Sequence, residues 1–303
     1  MKTIFLYLVF FQITIFAQLK HYYCVPADEK HFHLLKNLIG SIHCYDQQNL
    51  GEIAVYDLGF SLTQVNELRR MKYVTVNSVE MTHPNLLKPL KTCSSGRMVR
   101  GYFAWKPVVI KQALEKFPYI LYVDAGTTIT KPLDHLFEYI YKEGFFILSC
   151  TENEFCNLSN RLTKTVVEKF LKLRTPDEQK MILSGTTYNI DAGLQGLSRK
   201  MLDSYVLPMY EHSKDLDLFK DDGTAKLGYG AGRHDQTLFS MYVYFLNLKR
   251  YPEGSFNLEI DGKSHPVNIH WSADSINSES IIYRSRHDLS FRGGMTRFIQ
   301  YED

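Results

Sequence analysis

Short apolar runs alternate with amphipathic helical patterns through the first half of this chain, and that alternation constrains its architecture more than any other feature. Tyr22 to Val25 is aromatic and β-branched and meets Pro26, after which Phe32, Leu34, Leu35, Leu38, Ile39 and Ile42 recur at helical spacing. Ile53 to Leu58 is a second apolar strand. Ser61 followed by Gln64 has the form of a capping box and predicts a helix running through Met71, with Tyr73 to Val76 as the next strand. Trp105-Lys106-Pro107 opens another helix, proline being suited to a first turn, and Val108, Ile110, Ala113, Leu114 and Phe117 form its apolar face. The strand Tyr119 to Val123, a helix over Leu133 to Tyr141 and the strand Phe145 to Ser149 complete the series. Such alternation predicts an α/β fold, a mostly parallel central sheet with helices on both faces.

The second half is less regular. Helical patterns fall near Leu162 to Leu173, Lys200 to His212 and Gln236 to Leu248, with a final core strand at Val267 to His270. Between Val79 and Tyr102 periodicity fails around Pro84, Pro89 and Gly96, which predicts an irregular insertion over about 79–102. Residues from about 273 to the end are expected to form a surface tail. With 303 residues, 45% of them apolar, and no repeat or low-complexity linker, the chain is expected to build one large domain.

Charge excludes one broad class of partner. Lys and Arg total 35 against 33 acidic residues, and a net charge of +2 gives no reason to expect nucleic acid. At the amino terminus one lysine precedes an apolar run, interrupted by Gln12 and Thr14, that ends at Ala17. This has the form of a cleaved secretory signal over residues 1–17, leaving 18–303 as the mature domain, with no stable membrane span after cleavage and a place in the secretory lumen or outside the cell. Five cysteines (Cys24, Cys44, Cys93, Cys150 and Cys156) would then meet an oxidising compartment; an odd count leaves at least one unpaired, and Cys150 and Cys156 are close enough in sequence to bridge a short loop. No CxxC spacing points to zinc. Asn157-Leu158-Ser159 is a glycosylation sequon, so a glycoprotein is one expectation.

Four segments place polar groups where a strand or loop ends: Tyr122 to Gly126, Asn189 to Gly196, Arg233 to Gln236, and His270-Trp271-Ser272. In an α/β sheet ligands bind at the carboxyl ends of strands, where Asp124 would sit. An Asp and a His from distant loops are a partial ligand set for a divalent cation that also holds a diphosphate.

In these four motifs and their order, over about Val25 to Trp271, the chain resembles a GT-A type glycosyltransferase of the nucleotide-diphospho-sugar transferase superfamily. The resemblance implies a single Rossmann-like GT-A domain and transfer of a sugar from a nucleotide-diphosphate sugar to a hydroxyl acceptor on a glycan, glycoprotein or other molecule, assisted by Mn²⁺ or another divalent cation. Asp124-Ala125-Gly126 stands where the family has Asp-x-Asp, with Gly126 in place of the second carboxylate. Asn189, Ala192, Gly193 and Gln195 resemble the segment lining donor sugar and pyrophosphate. His234-Asp235-Gln236 resembles the segment near the reacting centre, and His270 the late metal ligand. The implied roles are Asp124 and His270 on the metal, Lys106 and Arg233 as added positive charge, and Asp235 as general base with Asp191 as runner-up. The missing second carboxylate keeps a further alternative, a catalytically degenerate member binding a glycan or partner. A metal-dependent hydrolase is the reading from another class.

Overall fold

The computed structural model describes residues 19–92, 96–226, 232, 234–270, 278–284 and 294–302. Residues 1–17, Cys93, Arg233 and Trp271 to Asp274 lie outside the described residues. The strands are β1 (His21–Ala27), β2 (Leu50–Asp57), β3 (Val74–Ser78), β4 (Pro89–Lys91), β5 (Met98–Arg100), β6 (Tyr119–Val123), β7 (Thr127–Ile129), β8 (Phe145–Ser149), β9 (Ile190–Ser198), β10 (Gly254–Ile260), β11 (Lys263–His270) and β12 (Ile282–Arg284). The α-helices are α1 (Phe32–Tyr45), α2 (Leu62–Leu68), α3 (Trp105–Lys116), α4 (Asp134–Glu143), α5 (Lys164–Lys169), α6 (Pro176–Leu183), α7 (Leu207–His212) and α8 (Asp235–Phe245).

The central sheet has the order β3-β2-β1-β6-β9-β8. β1, β2, β3 and β6 pair in parallel, whereas β9 runs antiparallel to both its neighbours, β6 and β8. The mostly parallel α/β expectation therefore holds, with β9 the reversed strand. Alternation along β6 decides which core each side chain joins: Ile120 and Tyr122 pack with α3 and α8, while Leu121 and Val123 pack with α1 and α4. Every residue of β6 is buried, as expected of a strand covered on both faces. Gly196 of β9 lets Ile140 of α4 approach its backbone; a Cβ there would overlap the Ile140 side chain.

A second sheet, β10-β11-β12-β7, adjoins the first because the chain leaves β6 at Val123, turns through Asp124 to Gly126 and enters β7. β12 pairs antiparallel with β7, setting Arg284 opposite Thr127. Helix ends follow local chemistry. Ser61 accepts from the Gln64 amide and Gln64 reciprocates, the predicted capping box, although α2 stops at Leu68. The pattern over Lys200 to His212 divides into a 3-10 turn, a π turn and α7, which restarts with Pro208 in its first turn, where a missing N–H costs nothing. The expected irregular insertion contains the short β4-β5 hairpin. The sequon is not an open surface loop: Asn157 is buried and its side-chain amide donates to the Gly185 carbonyl. Among the described residues no helix is long and apolar enough to cross a membrane.

Candidate active site

The carboxyl end of β6, the amino end of β9 and the amino-terminal turns of α3 and α8 meet at one edge of the central sheet. Antiparallel pairing of β6 with β9 brings them together: the Asp124 amide donates to the Gly193 carbonyl at 2.9 Å, next to the pair Val123 and Leu194. The result is a cavity of about 320 Å³ lined by Lys106, Asp124, Asn189, Asp191, Ala192, Gly193, His234, Asp235 and Gln236. All of these were singled out by sequence. The same wall includes Phe103, Cys150, Thr151, Phe155, Cys156, Glu253 and Arg284, which were not assigned to the site from sequence.

Two buried cations and three carboxylates organise it. Lys106 Nζ stands 3.4 Å from Asp124 Oδ1 and 3.3 Å from Asp235 Oδ2, and donates to the Ala192 carbonyl at 3.3 Å. Arg284 reaches Asp124 Oδ2 with one terminal nitrogen at 3.8 Å and hydrogen-bonds Asp191 Oδ1 with the other. Asp191 Oδ1 also accepts from the Gly193 amide at 2.8 Å, and Asp124 Oδ1 from the Tyr122 hydroxyl at 2.9 Å. Lys106, Asp191, Asp235 and Arg284 are all buried, with 8% exposure or less.

Burial and charge set the protonation of these groups. Burial pulls the Lys106 ammonium down, but Asp124 and Asp235 outweigh it and its pKa ends above the ordinary lysine value. Burial likewise opposes the charge on Arg284, and Asp191 and Asp124 more than restore it. Burial lifts the Asp191 carboxyl against the opposing pull of Arg284. It lifts Asp235 most clearly, to about 6, despite Lys106. Oδ2 of Asp235 is buried, and Lys106 Nζ, 3.3 Å away, is the cation it faces.

Local strain delivers several of these groups. Tyr102 and Phe103 have φ of 51° and 64°, a left-handed pair directly before α3 that turns Phe103 into the cavity wall and sets Lys106 in the first turn of the helix. His234 has φ of 53°, places Asp235 at the start of α8, bonds the Phe219 carbonyl through Nδ1 at 2.6 Å and stacks parallel to Tyr102. Gln236 donates to the Ile190 carbonyl at 2.5 Å and contacts Cys150 Sγ at 3.3 Å, tying α8 to β9.

Not every candidate converges. Gln195 points into the core, where it accepts from the Tyr205 hydroxyl at 2.7 Å. Ala125 and Gly126 sit in the buried turn between the sheets, outside the cavity lining. His270 ends β11 opposite Tyr283, also outside that lining, and its buried Nε2 has no hydrogen-bond partner among the described residues. A resident divalent cation does not fit this donor set. Both oxygens of Asp124 already meet cationic or donor groups, Gly126 supplies no side chain, and no cluster of three or more potential His, Cys, Asp or Glu ligands occurs among the described residues.

No protein-family model and no curated protein matches the sequence. Solved structures do match. Mouse xyloside xylosyltransferase 1, in its apo form, aligns with 89% of this chain and 98% of its own, at a TM-score of 0.50 and 12% identity. Core-mannan synthase A from Aspergillus fumigatus, in a Mn/GDP form, aligns with 75% of this chain and 70% of its own, at 0.51 and 9%. The bifunctional glycosyltransferase WbbM is matched over 75% of this chain but only 38% of its own length, at 0.40 and 12%. The likenesses to xyloside xylosyltransferase 1 and core-mannan synthase A define the fold, which is the GT-A fold.

Proposed function

We propose that the chain is a glycosyltransferase that moves a sugar from a nucleotide-diphosphate sugar to an acceptor hydroxyl. The carrying observation is the convergence of Asp124, Asp191 and Asp235 with Lys106 and Arg284 in one cavity at the ligand-binding edge of this fold. In the reaction the acceptor oxygen bonds to the anomeric carbon while the bond from that carbon to the diphosphate oxygen breaks, its electron pair leaving with the diphosphate. Asp235 takes the acceptor proton: it is buried, lines the cavity, and its raised pKa of about 6 suits a base working near neutral pH. Asp191 is the runner-up, but its Oδ1 already accepts from both the Gly193 amide and Arg284. Lys106 and Arg284 place positive charge where the leaving group gains negative charge. The amino-terminal segment supports a place in the secretory lumen or outside the cell.

A second function is favoured by Gly126 and by the engaged oxygens of Asp124: a non-catalytic relative that binds a glycan or a nucleotide sugar. Turnover separates the two. The purified chain, offered a panel of UDP- and GDP-sugars, should release nucleoside diphosphate from at least one, and Asp235→Asn should slow that release by about 10²-fold or more. Binding without release would favour the non-catalytic relative; release at an unchanged rate in Asp235→Asn would remove Asp235 from the reaction.

A further inference from the structure

We propose that Lys106 and Arg284 take over the work of a divalent cation, so that the diphosphate is bound by fixed side-chain charge and binding needs no metal. This inference rests on the transferase function proposed above.

Three features of the chain commit the space around Asp124 to side-chain cations. Gly126 removes a second carboxylate from the turn after β6. Gly193 leaves its side-chain position open, and Arg284 fills it: a Cβ on Gly193 would overlap the guanidinium and lie 2.5 Å from Asp124 Oδ2. β12 then supplies Arg284 from the second sheet, where pairing with β7 fixes its position opposite Thr127. The guanidinium stands beside Asp124 Oδ2 and the Lys106 ammonium beside Oδ1, so a metal ion approaching this carboxylate would meet two fixed positive charges.

The chemistry suits a diphosphate. A guanidinium has a planar fork of five N–H donors, which lets it keep a carboxylate partner while taking phosphate oxygens, and an ammonium adds a compact point charge. Both cations line the cavity, and each is shared between two carboxylates that hold it charged and oriented before ligand arrives.

The test is calorimetric titration of the full chain with UDP, GDP and inorganic pyrophosphate, each in excess EDTA and again in excess Mn²⁺. At least one probe should bind in EDTA with an affinity within about threefold of that in Mn²⁺. Lys106→Met should weaken it about tenfold or more, the scale of a lost hydrogen bond to a charged group. Arg284→Gln strips Asp191 of its cationic partner and risks misfolding, so Arg284→Lys serves beside it; keeping charge but losing the fork, it should fold and still bind measurably more weakly. Binding that appears only with Mn²⁺, or that is unchanged in both Lys106→Met and Arg284→Lys, overturns the metal-free site and leaves the transferase standing. No binding of any probe in either condition overturns both.

Discussion

Asp235 shows how one buried side chain sets the working range of the whole site. Burial raises its pKa to about 6, above the ordinary carboxylate value, and Lys106 only partly reverses this. A base must be deprotonated, so activity should be low below pH 6 and rise to a plateau above it. The folded state pays in the opposite sense: a raised carboxyl pKa contributes stability that is full below the unfolded value of 3.8 and lost as pH climbs through about 6. Turnover and stability should therefore change in opposite directions across pH 4 to 7 as far as this residue is concerned. A pH profile of kcat/KM on any accepted donor checks it, and an acidic limb that stays near pH 6 in Asp235→Asn would assign that limb to another group.

At the scale of elements, much of the fold was legible because long apolar patterns declare themselves. β1, α1, β2, β3, α3, β6, α4 and β8 lie where alternation placed them, give or take terminal residues. β12 was not legible. Three residues carry no periodicity, and an arginine in a tail rich in Arg and His resembles any solvated surface; only pairing with β7 carries Arg284 into the cavity. The same limit hid Phe103, whose left-handed backbone no local pattern announces, and misplaced Gln195, which shares the face of Gly193 on β9 but lies one step further into the sheet, under the buried Tyr205 hydroxyl. Helix α1 carries a further constraint in Gly40, where a Cβ would fall on the Met295 carbonyl of the carboxyl-terminal segment. Backbone cannot yield as a side-chain tip does. Gly40→Ala, although alanine is the better helix former, should lower stability by about 1–3 kcal/mol, read from chemical denaturation. A stabilised Gly40→Ala would mean that the segment detaches from α1 at little cost.

Across the whole molecule, the carboxyl-terminal segment and the site are joined through α1 and the second sheet. The Met295 amide donates to Asn37 Oδ1, and the Asn37 amide donates to Thr128 of β7 at 2.9 Å. The Ile129 amide, also in β7, donates to Ser41 of α1 at 3.0 Å. The Gln300 amide donates to His43 Nδ1, the Lys72 amide to the Gln300 carbonyl, and the Glu302 amide to the Arg70 carbonyl, so the segment also fastens α1 to the edge of the central sheet beside β3. β7 in turn pairs with β12 and so with the strand that bears Arg284. The core between α1, α4 and the central sheet includes Ile129, Ile269 and Ile282 of the second sheet, so the two sheets share one core. Removal of residues 294–303 should therefore lower the stability of the whole chain, by on the order of 2–4 kcal/mol for the bonds and packing lost. Heating should still give one transition, a few degrees or more below the intact chain. Amide hydrogen exchange supplies the decisive reading: protection should fall together in α1, β6 and β9. If α1 alone lost protection while β6 and β9 kept theirs, the segment would stabilise only the helix it touches, and the proposed link from the chain terminus to the site would fail.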